Sequence, residues 1–155
     1  HGVPREGLSN DQIASFGRKL SELGKEALER GLKLSLHHHY NQPVMYREDV
    51  GVFFDAAEEC AIGLTIDTAH FVKSGVDDVA GIIREFAHVI DNFHLKDIVD
   101  SDFCVLGSGT IEFGPIFKAI QDTDYDGWIS TDEESGADLE QAMKVCLKFM
   151  KEGLS

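Results

Sequence analysis

The chain has 155 residues, 43% of them hydrophobic, which is enough to bury one core and points to one domain. Twenty-eight acidic residues against fourteen basic ones give a formal charge of -14, which argues against a nucleic-acid or anionic-membrane binder because phosphate needs a basic surface. No apolar run reaches the roughly 18 residues of a membrane span. Three widely spaced cysteines, Cys60, Cys104 and Cys146, with no CxxC pair, fit a reducing cytoplasm better than a disulfide framework.

Helical and strand signals alternate along the chain. Ser9 or Asn10 is a good N-cap for a helix from Asp11 to Glu29, whose apolar positions Ile13, Phe16, Leu20, Leu23 and Leu28 recur at helical spacing. Gly31 stops it, and a strand follows from Leu32 to His39. A loop through Pro43 leads to a helix over Glu48–Cys60, then a strand over Ile62–Asp67. Gly75 precedes a helix over Val76–His88, and a third strand runs from Val89 to Lys96. A long loop through Gly107 and Gly109 ends at a helix that begins near Pro115, a favoured first helical residue. A fourth strand over Gly127–Asp132 and a helix over Ala137–Lys151 complete the order. Strands alternating with helices imply right-handed βαβ units and a parallel sheet. Four such units are half of a (β/α)8 barrel, which needs about 250 residues.

Alternation within the strands carries the functional signal. Leu32, Leu34 and Leu36 share one face of the first strand, and Lys33, Ser35, His37 and His39 the other. Ile62, Leu64 and Ile66 oppose Gly63, Thr65 and Asp67; Phe93 and Leu95 oppose Asn92, His94 and Lys96; Ile129 and Thr131 oppose Trp128, Ser130 and Asp132. Each polar face therefore ends in a His or an Asp, and all four ends point the same way. In parallel α/β sheets function sits at the C-terminal strand ends. Imidazole with carboxylate is a borderline ligand set, suited to Mn, Co, Zn or Fe rather than Ca or Mg.

Four segments in this order, LSLHHHYNQPV, GLTIDTAHFVKSGVDD, IDNFHLKDIVDSDFCVLGSGTIEFGPI and YDGWISTDEES, resemble the xylose-isomerase-like TIM barrels. That superfamily includes sugar and sugar-phosphate isomerases and epimerases, inosose dehydratases and, more distantly, endonuclease IV. The resemblance covers about Leu32 to Ser135 and fits strands five to eight of a (β/α)8 barrel. It implies one divalent metal held by one side chain from each strand, usually Glu, Asp, His and Glu. The middle pair falls on Asp67 and His94, the first position on His37, and the fourth on Asp132, with Glu133 as its rival if a bulge turns that residue inward. The loop after HLKD lacks the histidine expected of the endonuclease branch, which together with the charge disfavours DNA repair.

The resemblance implies a metal-dependent isomerase or epimerase of a sugar or sugar phosphate that works through an enediolate, with inosose dehydration as the alternative. His37, Lys96 and Glu133 are the candidates for proton transfer, because two acidic positions of the epimerases read His37 and Asp132 here. His39, His70 and Lys96 are the candidates for substrate contact, while His38 points the other way. Gly107-Ser108-Gly109 is either a phosphate cradle or a tight loop, and Asp97 either pairs with Lys96 or holds that loop. Trp128 is expected to pack beneath the site. Because the chain opens at His1 without a Met, a preceding half is expected. Otherwise the edge strands Leu32–His39 and Gly127–Asp132 should pair with another chain, giving a homo-oligomer, since a half-barrel without catalysis could still serve as an assembly module.

Overall fold

In the computed structural model, which describes residues 3–155, the first helix is α1 (Asn10–Leu28). It starts with a capping box: the Gln12 backbone N–H donates to Ser9 Oγ, and the Ser9 N–H donates to Gln12 Oε1. The face it buries is Ile13, Gly17, Ser21 and Gly24, with Phe16 and Leu20 packed beside it, so of the apolar stripe read from the sequence only Leu23 and Leu28 turn outward. Leu23 and Leu28 are 55% and 45% exposed. The reason is close approach. A Cβ on Gly24 would sit 2.1 Å from the Ala61 carbonyl oxygen, and one on Gly17 would sit 2.5 Å from that of Phe53. The helix seats on small residues because its backbone lies against its neighbours.

Next come β1 (Leu34–His37), α2 (Arg47–Ala56) and β2 (Ile62–Asp67). β1 is half the expected length because hydrogen bonds outside the sheet take its flanks. The Leu32 N–H donates to Ala27 O and the His39 N–H to Val44 O. After β2 comes a short helix that the sequence reading does not include, α3 (Thr68–Lys73); the helix expected over Val76–His88 is α4 (Val79–Glu85), and Gly75 at φ 80° lies between the two. β3 (Ile90–Leu95) leads into a short hairpin, β4 (Asp97–Val99) and β5 (Asp102–Cys104), where the sequence suggested only loop. Its two-residue turn, Asp100 and Ser101, lies at φ 49° and 70°, the left-handed geometry that matches strand twist. Then follow α5 (Phe113–Asp122), β6 (Trp128–Thr131) and α6 (Leu139–Gly153).

β1, β2, β3 and β6 form one parallel sheet in that order, with Asp67 opposite His94 and His94 opposite Ser130. A bulge places Asp91 as an extra residue of β3, between the partners of Leu64 and Thr65. The helix side of the sheet is the core: Leu36, Leu64, Ile66, Phe93 and Leu95 pack with Ile13, Phe53, Phe71, Ile82, Ile83 and Ile120. The other side is polar. Ser35 Oγ reaches Thr65 Oγ1 at 2.7 Å and donates to Asp91 Oδ1 at 2.6 Å. Trp128 lies on that polar side and is 82% exposed, so it packs beneath nothing. Among the described residues, no helix is long and apolar enough to cross a membrane.

Candidate active site

The strand ends of β2, β3 and β6 converge on Asp67. Its two oxygens do different work. Oδ1 accepts the His70 backbone N–H at 2.9 Å and so caps α3. Oδ2 is buried and accepts no hydrogen bond; His37 Nε2 stands 3.5 Å away and Lys96 Nζ 3.6 Å away. The Lys96 ammonium meets part of that charge as an ion pair, but Oδ2 receives no hydrogen bond and keeps its lone pairs free for a further cation.

Two groups of metal-ligating side chains share that aspartate: Asp67 with His94 and Asp132, and Asp67 with His37 and His70. Within each, the ligand atoms lie within 4.8 Å of one another. The rings of His37 and His94 are 4.6 Å apart, so the two groups adjoin across the aspartate they share. His94 Nδ1 is buried, makes no hydrogen bond and lies 3.8 Å from Asp132. Unpaired imidazole nitrogens beside carboxylates are a donor set into which a borderline divalent cation fits.

The electrostatics suit such a site. Burial pushes the Asp67 pKa up, but the nearby His37 ring and the charges of His70 and Lys96 outweigh it and hold the group down at about 2. Burial lowers His94, reinforced by His37, and brings His70 down to about 4. Both rings are therefore neutral near pH 7, the state in which imidazole binds metal. Burial likewise takes His38 down to about 3. His38 turns to the helix side, stacks on Phe71 and accepts the Asp67 N–H at Nε2. It thereby holds the aspartate from behind.

Lys96 is 1% exposed, and its ammonium lies 2.6 Å from both Asp132 and Glu134. Burial lowers its pKa, but the hydrogen bonds to those two carboxylates outweigh it and the net shift is upward. Its backbone is fixed by the Thr68 hydroxyl, which donates to Lys96 O and accepts the Lys96 N–H. His39 lies at the rim with its ring 3.5 Å from that of His70, which is itself 1% exposed with both ring nitrogens unpartnered.

Glu133 does not join the site. Side chains continue to alternate past β6, so Asp132 and Glu134 face Lys96, and Glu133 turns toward α6. There it accepts the Ser135 N–H at 2.7 Å and lies 3.9 Å from Cys146 Sγ. No bulge reverses this order. Glu134 was overlooked in the sequence, although its position two beyond Asp132 was the available signal. Gly107-Ser108-Gly109 is no phosphate cradle. The Gly107 and Gly109 N–H groups donate to Asp97 Oδ2 at 3.1 and 2.8 Å, so Asp97 holds the loop rather than pairing with Lys96.

Residues 1–152 match the family described as the xylose isomerase-like TIM barrel. The inosose dehydratase of Clostridium perfringens is 28% identical over 93% of this chain and 54% of its own length. That of Clostridium beijerinckii is 31% identical over 85% of this chain and 50% of its own length. The chain thus spans about half the length of the curated relatives it matches. Among solved structures, an L-ribulose 3-epimerase superposes with a TM-score of 0.83 at 21% identity, covering 99% of this chain and 58% of the epimerase. A zinc-bound IolI protein superposes with a TM-score of 0.80 at 19% identity, covering 99% of this chain and 60% of its own. These likenesses carry the fold. With four parallel βα units, its chemistry-bearing residues at the C-terminal strand ends and a family match along nearly its whole length, the chain belongs to the xylose isomerase-like TIM barrel family.

Proposed function

We propose that this chain carries the metal- and substrate-binding strand ends of a divalent-metal-dependent enzyme acting on a small ketose, sugar phosphate or inosose, in a barrel completed by further strands. The observation that carries this reading is Asp67 Oδ2, buried and unpartnered among His37, His94, Asp132 and Lys96. His37, Asp67, His94 and Asp132 would hold one Mn, Co, Zn or Fe ion, which when bound polarises a substrate carbonyl and acidifies the neighbouring C–H.

This chain's residues then divide the proton work. Lys96, kept protonated by Asp132 and Glu134, donates a hydrogen bond to the substrate oxygen where negative charge develops. It is a poor base for the same reason. The His37 ring, on the open side of the sheet, takes the proton from carbon only in the alternative in which Asp67, His94 and Asp132 hold the ion without it, because a ligated neutral imidazole has no lone pair left. His39 and His70 line the wall beyond it. Return of the proton to another carbon or face gives isomerisation or epimerisation; loss of a β-hydroxyl as water gives dehydration. Similarity to inosose dehydratases favours dehydration as a second reading.

One experiment tests both. The full-length protein is dialysed against each metal, its content measured, and turnover of an inosose and a set of ketoses followed in D2O. About one ion per chain, solvent deuterium in the product, and loss of both in His94→Ala are expected. Full metal occupancy in His94→Ala, or turnover without solvent exchange, overturns the reading.

A further inference from the structure

Lys96 poses a question that its carboxylate partners do not answer. Its ammonium is bound by Asp132 and Glu134, whose side chains are 32% and 51% exposed. Such partners draw a flexible lysine outward to the wet rim, where its long stem has many conformers. Yet Lys96 is 1% exposed. Something apolar closes the side from which water would reach it.

Phe103 on β5 is that group. Its ring centroid lies 4.5 Å from Lys96 Nζ and 4.6 Å from Lys73 Nζ, and the ring meets His70 edge-on at 5.1 Å and 88°. Lys73, at the end of α3, is itself tied down: it donates to Ser101 O in the hairpin turn at 2.8 Å and lies 5.5 Å from the Tyr40 ring. The hairpin that carries Phe103 is fixed at its base. The Asp97 carboxylate, 1% exposed, accepts four backbone N–H groups, from Ile98, Gly107, Gly109 and Ile111. So the ring is held in place from both ends and does not merely lean on the site.

We propose that Phe103 is a positioning residue: its ring, carried on a carboxylate-locked hairpin, holds the Lys96 ammonium inward against Asp67, Asp132 and Glu134 and away from Lys73. This rests on the catalytic part given to Lys96 above. The ring acts through its electron-rich face, which attracts the ammonium, and through its bulk, which keeps water and the second ammonium off it. Desolvated cation–π contacts are worth enough to shift a rate by about tenfold.

The test replaces Phe103 with fluorinated phenylalanines, which weaken and then reverse the ring's electrostatics at nearly constant shape, alongside Phe103→Leu. In the full-length, metal-loaded protein, kcat on the turned-over substrate is expected to fall stepwise with fluorination. About tenfold is the expected loss for the most fluorinated ring. KM and metal content should change by less than about twofold, and Phe103→Trp should restore the rate. A second arm needs no turnover. With lysine labelled at 13Cε, the Lys96 and Lys73 methylene protons should be displaced upfield by the ring current, and Phe103→Leu should return both, and only those, to ordinary positions. A kcat that ignores fluorination but falls in Phe103→Leu makes the ring mere filler and overturns the proposal. Undisplaced lysine signals in the wild type overturn it too. Displaced signals in a protein that turns over no ketose or inosose refute the enzymatic reading instead and leave the clamp standing.

Discussion

Asp97 offers the sharpest test of how the loops around the site are held. It is 1% exposed, and its carboxylate accepts N–H groups from Ile98 at 2.8 Å, Gly109 at 2.8 Å, Gly107 at 3.1 Å and Ile111 at 3.2 Å. Hydrogen bonds to a charged acceptor are worth about 1.5–3 kcal/mol each, but bonds sharing one acceptor do not add, and three of the four are only part-buried. Removing the carboxylate lets some of these N–H groups turn to water. About 4 kcal/mol is therefore expected for Asp97→Ala, near the upper end for a single substitution. For a chain of 155 residues this lowers Tm by roughly 10 °C. Asp97→Asn keeps one oxygen but aims an amide NH2 at two of the donors, so it should lose about half as much. Calorimetry gives the stabilities. Hydrogen exchange should show the loss of protection confined to residues 97–111, with β2 and β3 unaffected. A loss below about 1 kcal/mol in Asp97→Ala, or one spread evenly through the sheet, would show that the carboxylate does not hold the hairpin and the glycine loop.

Gly24→Ala should destabilise by about 3 kcal/mol, because its methyl group meets the Ala61 carbonyl oxygen at 2.1 Å, and denaturant melts will show it. The pH dependence has a definite sign. Burial holds His38 at about 3 against an ordinary 6.5, so below pH 6.5 the unfolded chain takes up a proton that the folded chain refuses. Stability therefore falls as the pH drops from 6.5 toward 3; between pH 7 and 5 this group contributes a loss of about 2 kcal/mol, and His38→Gln should flatten the slope by that amount in urea melts at the two pH values. Asp132→Asn should weaken metal binding by about 100-fold, whereas Glu133→Gln, which faces Cys146, should leave the dissociation constant unchanged in a chelator competition.

The sheet and the direction of its functional residues were legible because strand alternation has a period of two. Leu64 and Ile66 against Thr65 and Asp67 can be read without any structure, and so can His94 against Phe93. What could not be read depended on contacts across the fold. α1 displays leucines at helical spacing, yet it docks through Gly17, Ser21 and Gly24 because its neighbours' carbonyl groups come so near. α3 has six residues, too few for a periodic pattern, and its N-cap is the very aspartate that ends β2. The β4–β5 hairpin turns on Asp100-Ser101, without the Asn-Gly or Asp-Gly pair that marks such turns, so the segment read as loop. Phe103 could not be read for the same reason: its importance comes from Lys96, and Lys96 reveals its neighbours only in three dimensions.

Asp67 is where fold and chemistry meet, and its two oxygens allow them to be separated. Oδ1 caps α3 through the His70 N–H, while Oδ2 stands unpartnered before His37 and Lys96. Asn is as good an N-cap as Asp, so Asp67→Asn keeps the cap and removes only the charge. Asp67→Ala removes both, and the lost cap alone costs about 1 kcal/mol. The two variants should therefore lose metal alike, since neither supplies an anionic oxygen, while Asp67→Ala melts several degrees below Asp67→Asn. The removed charge adds a stabilising effect common to both, because a desolvated carboxylate no longer has to be buried. It also adds a destabilising one, because Lys96 loses one of its three carboxylates. Neither term enters the difference between the variants, which reports the cap together with the packing that the shorter Ala side chain gives up at this buried position. Dialysis with metal analysis and thermal melts on the same samples decide the matter. Metal retained by Asp67→Asn would remove Oδ2 from the ligand set. Equal melting temperatures for the two variants would mean that α3 starts without help from Asp67, and that this residue serves the site alone.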